Sequence, residues 1–259
     1  MTILDEIISY KKEEVKRLKS VTPLSQISSP AANNSLVKQL QTDIGRSFHL
    51  ICEVKKASPS KGIIRENFNP VEIAEKYEQG GASAISVLTD EKYFMGQADY
   101  LRKIKKVVSL PVLRKDFIID EYQIIESKIW QADIILLIAK VLDKIQLIDY
   151  IALAAELKMD VLLEFSEETE LNKIPADYNN VIFGVNNRDL HNFSVDINKS
   201  LILKKQLPPD APAISESGIK TNDDCKRLFD AGFCGALIGE TLMRSDNIES
   251  EIRKLKRGL

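Results

Sequence analysis

Cysteine and histidine are scarce in this chain of 259 residues, which holds 3 Cys (52, 225 and 234) and 2 His (49 and 191). The cysteines have no C-x-x-C spacing, which sets aside a disulfide scaffold and suits a reducing compartment. Two histidines cannot build a three-His zinc site, and no metal is expected. An excess of one charge is missing too: 36 Lys and Arg against 38 Asp and Glu leave a net charge of −2. There is no basic field for nucleic acid. The clusters Lys11-Lys12 and Lys254 to Arg257 lie beside acids or at the terminus and read as solvated helix faces. Long apolar runs are absent, the longest being Ile134 to Ala139, far too short to span a bilayer. The N-terminus, with Asp5 and Glu6, lacks the apolar core of a signal peptide. These absences point to a cytoplasmic protein with no membrane or nucleic-acid partner. No low-complexity tract and no sequence repeat of 20 to 50 residues is present.

What is there is a core. Hydrophobic residues make up 44% and charged residues 29% of the chain, the composition of a globular protein. Residues 3–19 place Ile3, Leu4, Ile7, Ile8, Val15 and Leu18 at helical spacing. A Ser-, Pro- and Asn-rich connection follows, from Ser20 to Asn34, and a second short helix is expected over 35–41. From His49 the chain alternates. Strand-like runs fall at 49–54, 83–88, 111–114, 133–139, 160–164, 181–185, 212–215 and 234–238. Helical periodicity fills 70–79, 98–107, 120–130, 143–158, 167–173, 196–206, 221–231 and 246–257. Several strand runs, such as D-I-I-L-L-I-A, are apolar on both faces, as buried parallel strands must be. Eight β/α units in about 210 residues predict an α/β protein, a (β/α)8 TIM barrel. The expected organisation is one barrel domain over 1–259, with residues 1–47 as an N-terminal helical extension and no second fused enzyme. An open doubly wound sheet is disfavoured because the first turn, S-P-S-K-G, has a single Gly.

In such a barrel the active site lies at the C-terminal strand ends. The stretch I-C-E-V-K-K-A-S-P-S-K-G, residues 51–62, opens that series. Alternation puts Glu53 and Lys55 on one face of the strand and Cys52 and Val54 on the other. The loop beyond carries Ser58, Ser60 and Lys61, groups suited to an anion. Later strands end with Lys115 and Asp116, with Glu164, with Gly184, Asn186 and Arg188 on one parity, with Glu216, Ser217 and Gly218, and with Gly239 and Glu240. Each alone reads equally well as a surface pair or a helix cap. Together on matched strand ends they would converge on one rim, where charges do not gather without purpose. Ser217-Gly218 and Gly239-Glu240 also stand where barrels bind phosphate with backbone N–H groups. Ser58 and Arg188 could complete the donor ring, while Glu240 could help only through its backbone.

In this order, the segments E-V-K-K-A-S-P-S-K-G, L-R-K-D-F, G-V-N-N-R-D-L, S-E-S-G-I and L-I-G-E-T-L-M resemble the indole-3-glycerol phosphate synthase family of tryptophan biosynthesis. The resemblance runs from about Ile3 to the C-terminus. It implies a lyase that closes the indole ring of 1-(2-carboxyphenylamino)-1-deoxyribulose 5-phosphate, losing CO2 and water with no metal or organic cofactor. It puts Lys115 in the role of the acid that protonates the ketone oxygen during ring closure. Nearby carboxylates would keep Lys115 charged, while burial would lower its pKa. The resemblance also implies that Lys55 faces the substrate carboxylate and that Glu53 orients the lysines. Glu164 would be the acid or base of the dehydration. Asn186 and Glu216 would bind substrate hydroxyls and developing charge. The phosphate region would hold Ser58, Arg188, Ser217, Gly218, Gly239 and Glu240. An apolar wall for the aromatic ring would come from Phe94, Phe117, Leu136, Leu190 and Leu237. The chain departs from many relatives at Ser166, where they read E-V-H after strand five, and at Lys140.

Two other functions fit the same residues less well. A sugar-phosphate isomerase of the phosphoribosylanthranilate isomerase type would share the phosphate site but commonly has an Asp or Cys at the strand ends, where this chain has Glu-x-Lys. A barrel that only binds a phosphorylated ligand leaves Glu53, Lys115 and Glu164 without a task. A monomer acting on a phosphorylated small molecule is expected, and partner enzymes of the pathway are left open.

Overall fold

The computed structural model describes residues 2–22, 34–174, 179–189 and 193–259. Eight parallel strands close into a barrel. They are β1 His49–Val54, β2 Ala84–Leu88, β3 Val112–Lys115, β4 Ile134–Ile138, β5 Asp160–Phe165, β6 Val181–Asn186, β7 Ala213–Glu216 and β8 Gly235–Ile238. Closure is made where β1 pairs with β8, His49 opposite Gly235 and Cys52 opposite Ile238. No Cβ fits at position 235, because it would strike the His49 carbonyl.

Strand alternation sorts the residues into two cores. Leu50, Cys52, Ile85, Val87, Ile135, Leu137, Val161, Leu163, Phe183 and Val185 face outward and pack under the helices. Ile51, Ala84, Leu113, Ile134, Leu136, Leu162, Ile182, Ile214 and Leu237 fill the barrel. This is why the strands read as apolar on both faces.

The outer helices follow the strands largely as expected. After β1 comes α3 Pro70–Gly80; after β3, α6 Glu121–Ile129; after β4, α7 Lys144–Glu156; after β7, α9 Asn222–Asp230. The expected helix at 98–107 is α5 Ala98–Ile104, and an unexpected short helix, α4 Glu91–Phe94, precedes it, ended where Met95 takes a left-handed φ of 53°. The expected helix at 167–173 is a 3-10 turn, Glu168–Lys173. After β6, α8 Asn198–Leu203 runs into the 3-10 turn Lys204–Gln206, and after β8 come α10 Glu240–Met243 and α11 Ile248–Leu255.

The N-terminal extension has two separate tasks. Helix α1, Ile3–Val21, starts with a capping box between Thr2 and Asp5 and buries Leu4, Ile7, Lys11 and Val15. It lies against α6, where Lys19 meets Asp120 at 2.8 Å. Helix α2, Leu36–Thr42, inserts Leu36, Val37 and Leu40 into the inner core and plugs the floor of the barrel. Asp160 at the start of β5 ties it down, accepting the Val37 N–H at 2.9 Å and the Ser35 hydroxyl at 3.0 Å. No helix among the described residues is long and apolar enough to cross a membrane.

Candidate active site

Across the barrel, one step of the pleat changes the interior from oil to charge. Ile51, Leu113, Leu162 and Ile214 belong to the inner apolar core. Two residues further along the same strands, β1, β3, β5 and β7, stand Glu53, Lys115, Glu164 and Glu216, all lining one cavity of about 930 Å³ at the C-terminal mouth. Alternate strands of such a barrel contribute to one layer, so the layer that closes the core is wholly ionisable. Strand β3 extends one residue beyond the expected end, which puts Lys115 on the strand itself.

Lys115 Nζ donates to Glu216 Oε2 at 2.7 Å and to Glu164 Oε2 at 2.9 Å. The other Glu164 oxygen accepts from Asn186 Nδ2 at 3.1 Å, and Asn186 Oδ1 accepts the Arg188 N–H at 3.0 Å. Lys55, just past the end of β1, pairs with Glu53 two residues before it. Tyr77, fully buried, donates to the Glu53 carbonyl at 2.9 Å and fixes the end of β1. Glu216 Oε1 is buried with no hydrogen-bond partner among the described residues, although its residue lines the cavity. A buried acceptor left open is costly unless something else fills it.

The charges in this layer shift one another. Burial by itself pulls the Lys115 ammonium down, but the carboxylates of Glu164, Glu216 and Glu53 outweigh it, and its pKa lies above the ordinary lysine value. Of the two opposing effects expected from sequence, the carboxylates win. Burial raises the Glu216 carboxyl, Lys115 opposes, and Glu164 adds to the rise, leaving it at about 7.

Two glycines make room for these acids. A Cβ at Gly184 would strike the Glu216 carboxylate and come within 2.9 Å of Leu162. One at Gly239 would strike the Glu53 carboxylate and approach Lys55 Nζ to 3.1 Å. Ser217 and Gly218 both take left-handed φ, 68° and 83°. Asn187, nearly fully buried, braces that bend by donating to the Ser217 carbonyl at 3.0 Å and to Ser215 Oγ at 2.9 Å. Ser217, Gly218, Gly239, Glu240 and Arg188 line the cavity, as do Phe94, Phe117, Leu136 and Leu237. The Phe94 and Phe117 rings are 6.1 Å apart.

Of the residues singled out from sequence, Ser58 alone is set back. It lines a smaller cavity of about 90 Å³ beside the mouth, with Ile3, Leu4 and Ile7 of α1. Its loop neighbour Lys61 lines the main cavity, and Ser60 lines both. Leu190 lies outside the described residues. Leu88, Ile138, Phe193, Thr241 and Arg244 line the cavity without having been singled out. Strand parity could have found Leu88 and Ile138, whereas Phe193 comes from a loop and Thr241 and Arg244 from α10 and its C-terminal end. Lys140 and Ser166 take partners outside the cavity lining, Glu167 and Glu170. One expectation is overturned. Lys11 is no solvated residue: it is 2% exposed, buried against Asp90 and Asp116 at 3.0 Å each. Only its neighbour Lys12 faces solvent.

Comparison with known proteins agrees with this geometry. The family model for indole-3-glycerol phosphate synthase matches residues 4–255. The chain is 46% identical to an indole-3-glycerol phosphate synthase of Legionella pneumophila (strain Paris), with 98% of each chain covered. It is 47% identical to that of Desulfotalea psychrophila, again over 98% of each. It is 48% identical to that of Chlorobium luteolum, over 96% of this chain and 95% of the relative. Among solved structures, a 3-hexulose-6-phosphate synthase superposes with a TM-score of 0.63 at 15% identity, over 81% of this chain and 98% of that one. An N-acetylmannosamine-6-phosphate 2-epimerase from Clostridium perfringens gives 0.59 at 17%, over 83% and 94%. At such identities the likeness speaks for the barrel alone. The family model and the relatives, which span nearly the whole chain, place this protein in the indole-3-glycerol phosphate synthase family.

Proposed function

We propose that the protein makes indole-3-glycerol phosphate from 1-(2-carboxyphenylamino)-1-deoxyribulose 5-phosphate, and that the charged layer is its catalytic machinery. The observation that carries this is Lys115, a largely buried ammonium between two carboxylates at the floor of the cavity. Its raised pKa keeps it protonated at neutral pH, as an acid that meets a ketone oxygen must be.

The sequence of steps balances as follows. The ring carbon bearing the carboxylate attacks the ketone carbon, and Lys115 gives its proton to the ketone oxygen. The bond to the carboxylate breaks, CO2 leaves, and its electron pair restores the aromatic ring. The new hydroxyl then leaves as water with a second proton, while a base takes a proton from the neighbouring methylene. Two protons are given and one is recovered, so one comes from solvent. Glu164 suits the last exchange, because it touches both Lys115 and Asn186. Lys55 is placed to meet the substrate carboxylate. Glu53 holds Lys55 in that orientation. The free Glu216 oxygen accepts from a substrate hydroxyl, and that engagement loosens its hold on the Lys115 proton. The phosphate sits on the backbone of Ser217, Gly218, Gly239 and Glu240 with Arg188 beside it. Phe94, Phe117, Leu136 and Leu237 cover the aromatic ring.

The test offers the protein two substrates, this one and phosphoribosylanthranilate. A fluorescent indole product from the first and no isomerisation of the second is the expected outcome. The reverse result would assign the barrel to the isomerase type.

A further inference from the structure

One buried cation is not used by the chemistry above. Lys11 lies on α1, far from the strand ends in sequence, yet its ammonium reaches three carboxylates. Glu14 Oε2 is at 2.6 Å, Asp90 Oδ2 at 3.0 Å and Asp116 Oδ1 at 3.0 Å. Lys11, Asp90 and Asp116 are 2%, 1% and 4% exposed. Burying such groups is unfavourable unless every charge is matched. Asp90 Oδ2 has no hydrogen-bond partner among the described residues and rests on the Lys11 ammonium alone.

The two acids govern the aromatic wall. Asp90 caps α4 through its other oxygen, which accepts the Tyr93 N–H at 2.8 Å, and α4 ends on Phe94. Asp116 Oδ1 accepts the N–H of Phe117 at 2.8 Å, and its Oδ2 takes Thr89 Oγ1 at 2.7 Å and Arg114 Nη2 at 3.0 Å. Phe94 and Phe117 both line the main cavity, and both also line the small cavity closed by Ile3, Leu4 and Ile7 of α1. Other α1–α4 contacts are peripheral: Tyr93 donates to Glu6 at 3.1 Å, Tyr10 meets the Tyr93 ring edge-on, and Lys92 Nζ lies 4.1 Å from the centre of the Tyr10 ring.

We propose that Lys11 is a positioning residue for the substrate's aromatic ring: its one ammonium joins the segment that ends in Phe94 to the segment that begins with Phe117 and so holds the two contacting rings as one wall of the cavity. The inference rests on the aromatic substrate proposed above. It gives the N-terminal helix a part in substrate selection beyond covering the barrel, and it separates two halves of the site. The phosphate wall, on the loops after β7 and β8, has no contact with Lys11.

The experiment measures dissociation constants for anthranilate and for inorganic phosphate separately, by titration, in wild type, Lys11→Met, Lys11→Arg and Asp90→Asn. Asp90→Asn keeps the oxygen that caps α4 and removes the charge facing Lys11. In Lys11→Met the anthranilate constant rises roughly tenfold or more while the phosphate constant stays within about twofold. KM for the full substrate rises in step with the anthranilate constant and kcat changes less, Lys11→Arg recovers part of the loss, and Asp90→Asn shows the same signature. An unchanged anthranilate constant overturns the proposal. So does a parallel loss for both ligands, which is what a merely structural lysine would produce. If Lys11→Met does not fold, Asp90→Asn decides by the same criterion. Both constants are read without turnover, so a wild-type protein that fails to make the indole product sinks the proposed reaction and leaves this inference to be judged on its own.

Discussion

Glu216 and Gly184 show how closely single residues are matched in the charged layer. With the Glu216 carboxyl at about 7 in the fold against an ordinary 4.5, the folded protein holds a proton that the unfolded chain has released. Stability from this group is fully present below pH 4.5 and is lost as pH rises toward 7. Glu216→Gln removes that slope, and the change is on the order of 2 kcal/mol, read from denaturant midpoints at about pH 5 and about pH 8. Midpoints with the same pH dependence as wild type would contradict the assigned direction. Gly184→Ala puts a methyl group against the Glu216 carboxylate and Leu162. It is expected to cost about 1–3 kcal/mol by overpacking and to cut kcat more than KM, because it displaces the partner of Lys115. The four acids and bases of this layer were legible in the sequence because strand alternation is a local rule. Knowing that Glu53 faces inward requires only its neighbours. Lys11 was not legible, because its partners Asp90 and Asp116 come from distant segments and nothing local to α1 announces them.

At the scale of elements, the two ends of the barrel are built for different purposes. Helix α2 plugs the floor, and Asp160 holds its first turn through Ser35 and Val37. Asp160→Ala leaves those donors without a partner and is expected to lower stability by about 1–3 kcal/mol, seen as a lower denaturant midpoint. kcat measured well below the transition should stay unchanged, because the floor lies away from the mouth, and a large fall in kcat would show that floor and mouth are coupled. The strands were legible as short apolar runs bounded by helical stretches, and most helices because a period of 3.6 residues persists over several turns. The segment after β5 was not. Its E-E-T-E-L-N-K run has helical spacing, but Glu170 turns back to accept from the Ser166 N–H at 2.7 Å and holds it as a 3-10 turn. The position of Ser58 in the small cavity, beside Arg188 and Glu240, was likewise not local to read. Residues Ala57–Ser58 and Gly62–Ile63 pair as a small antiparallel hairpin, which carries Ser60 and Lys61 to the cavity and leaves Ser58 behind.

For the whole molecule, an apolar barrel closed by an ionisable layer implies that ligands of the mouth stabilise the fold by mass action. Inorganic phosphate at about ten times its dissociation constant contributes about 1.4 kcal/mol, which for a chain of this size raises Tm by about 3–6 °C at most. Arg188→Ala should reduce that shift, and an equal shift in the variant would place the anion elsewhere. The barrel class was legible from alternation alone, whereas the loop residues Phe193, Val195 and Asp196 that line the cavity needed the fold in three dimensions. The central claim is that Lys115, set between Glu164 and Glu216, is the acid of ring closure. It is tested most directly by following indole fluorescence from the carboxyphenylamino substrate, with a chelator present, for wild type and a folded Lys115→Ala variant. Steady product formation by wild type and a fall in kcat of about 10³-fold or more in the variant is the predicted result. A variant that retains near wild-type turnover would contradict it.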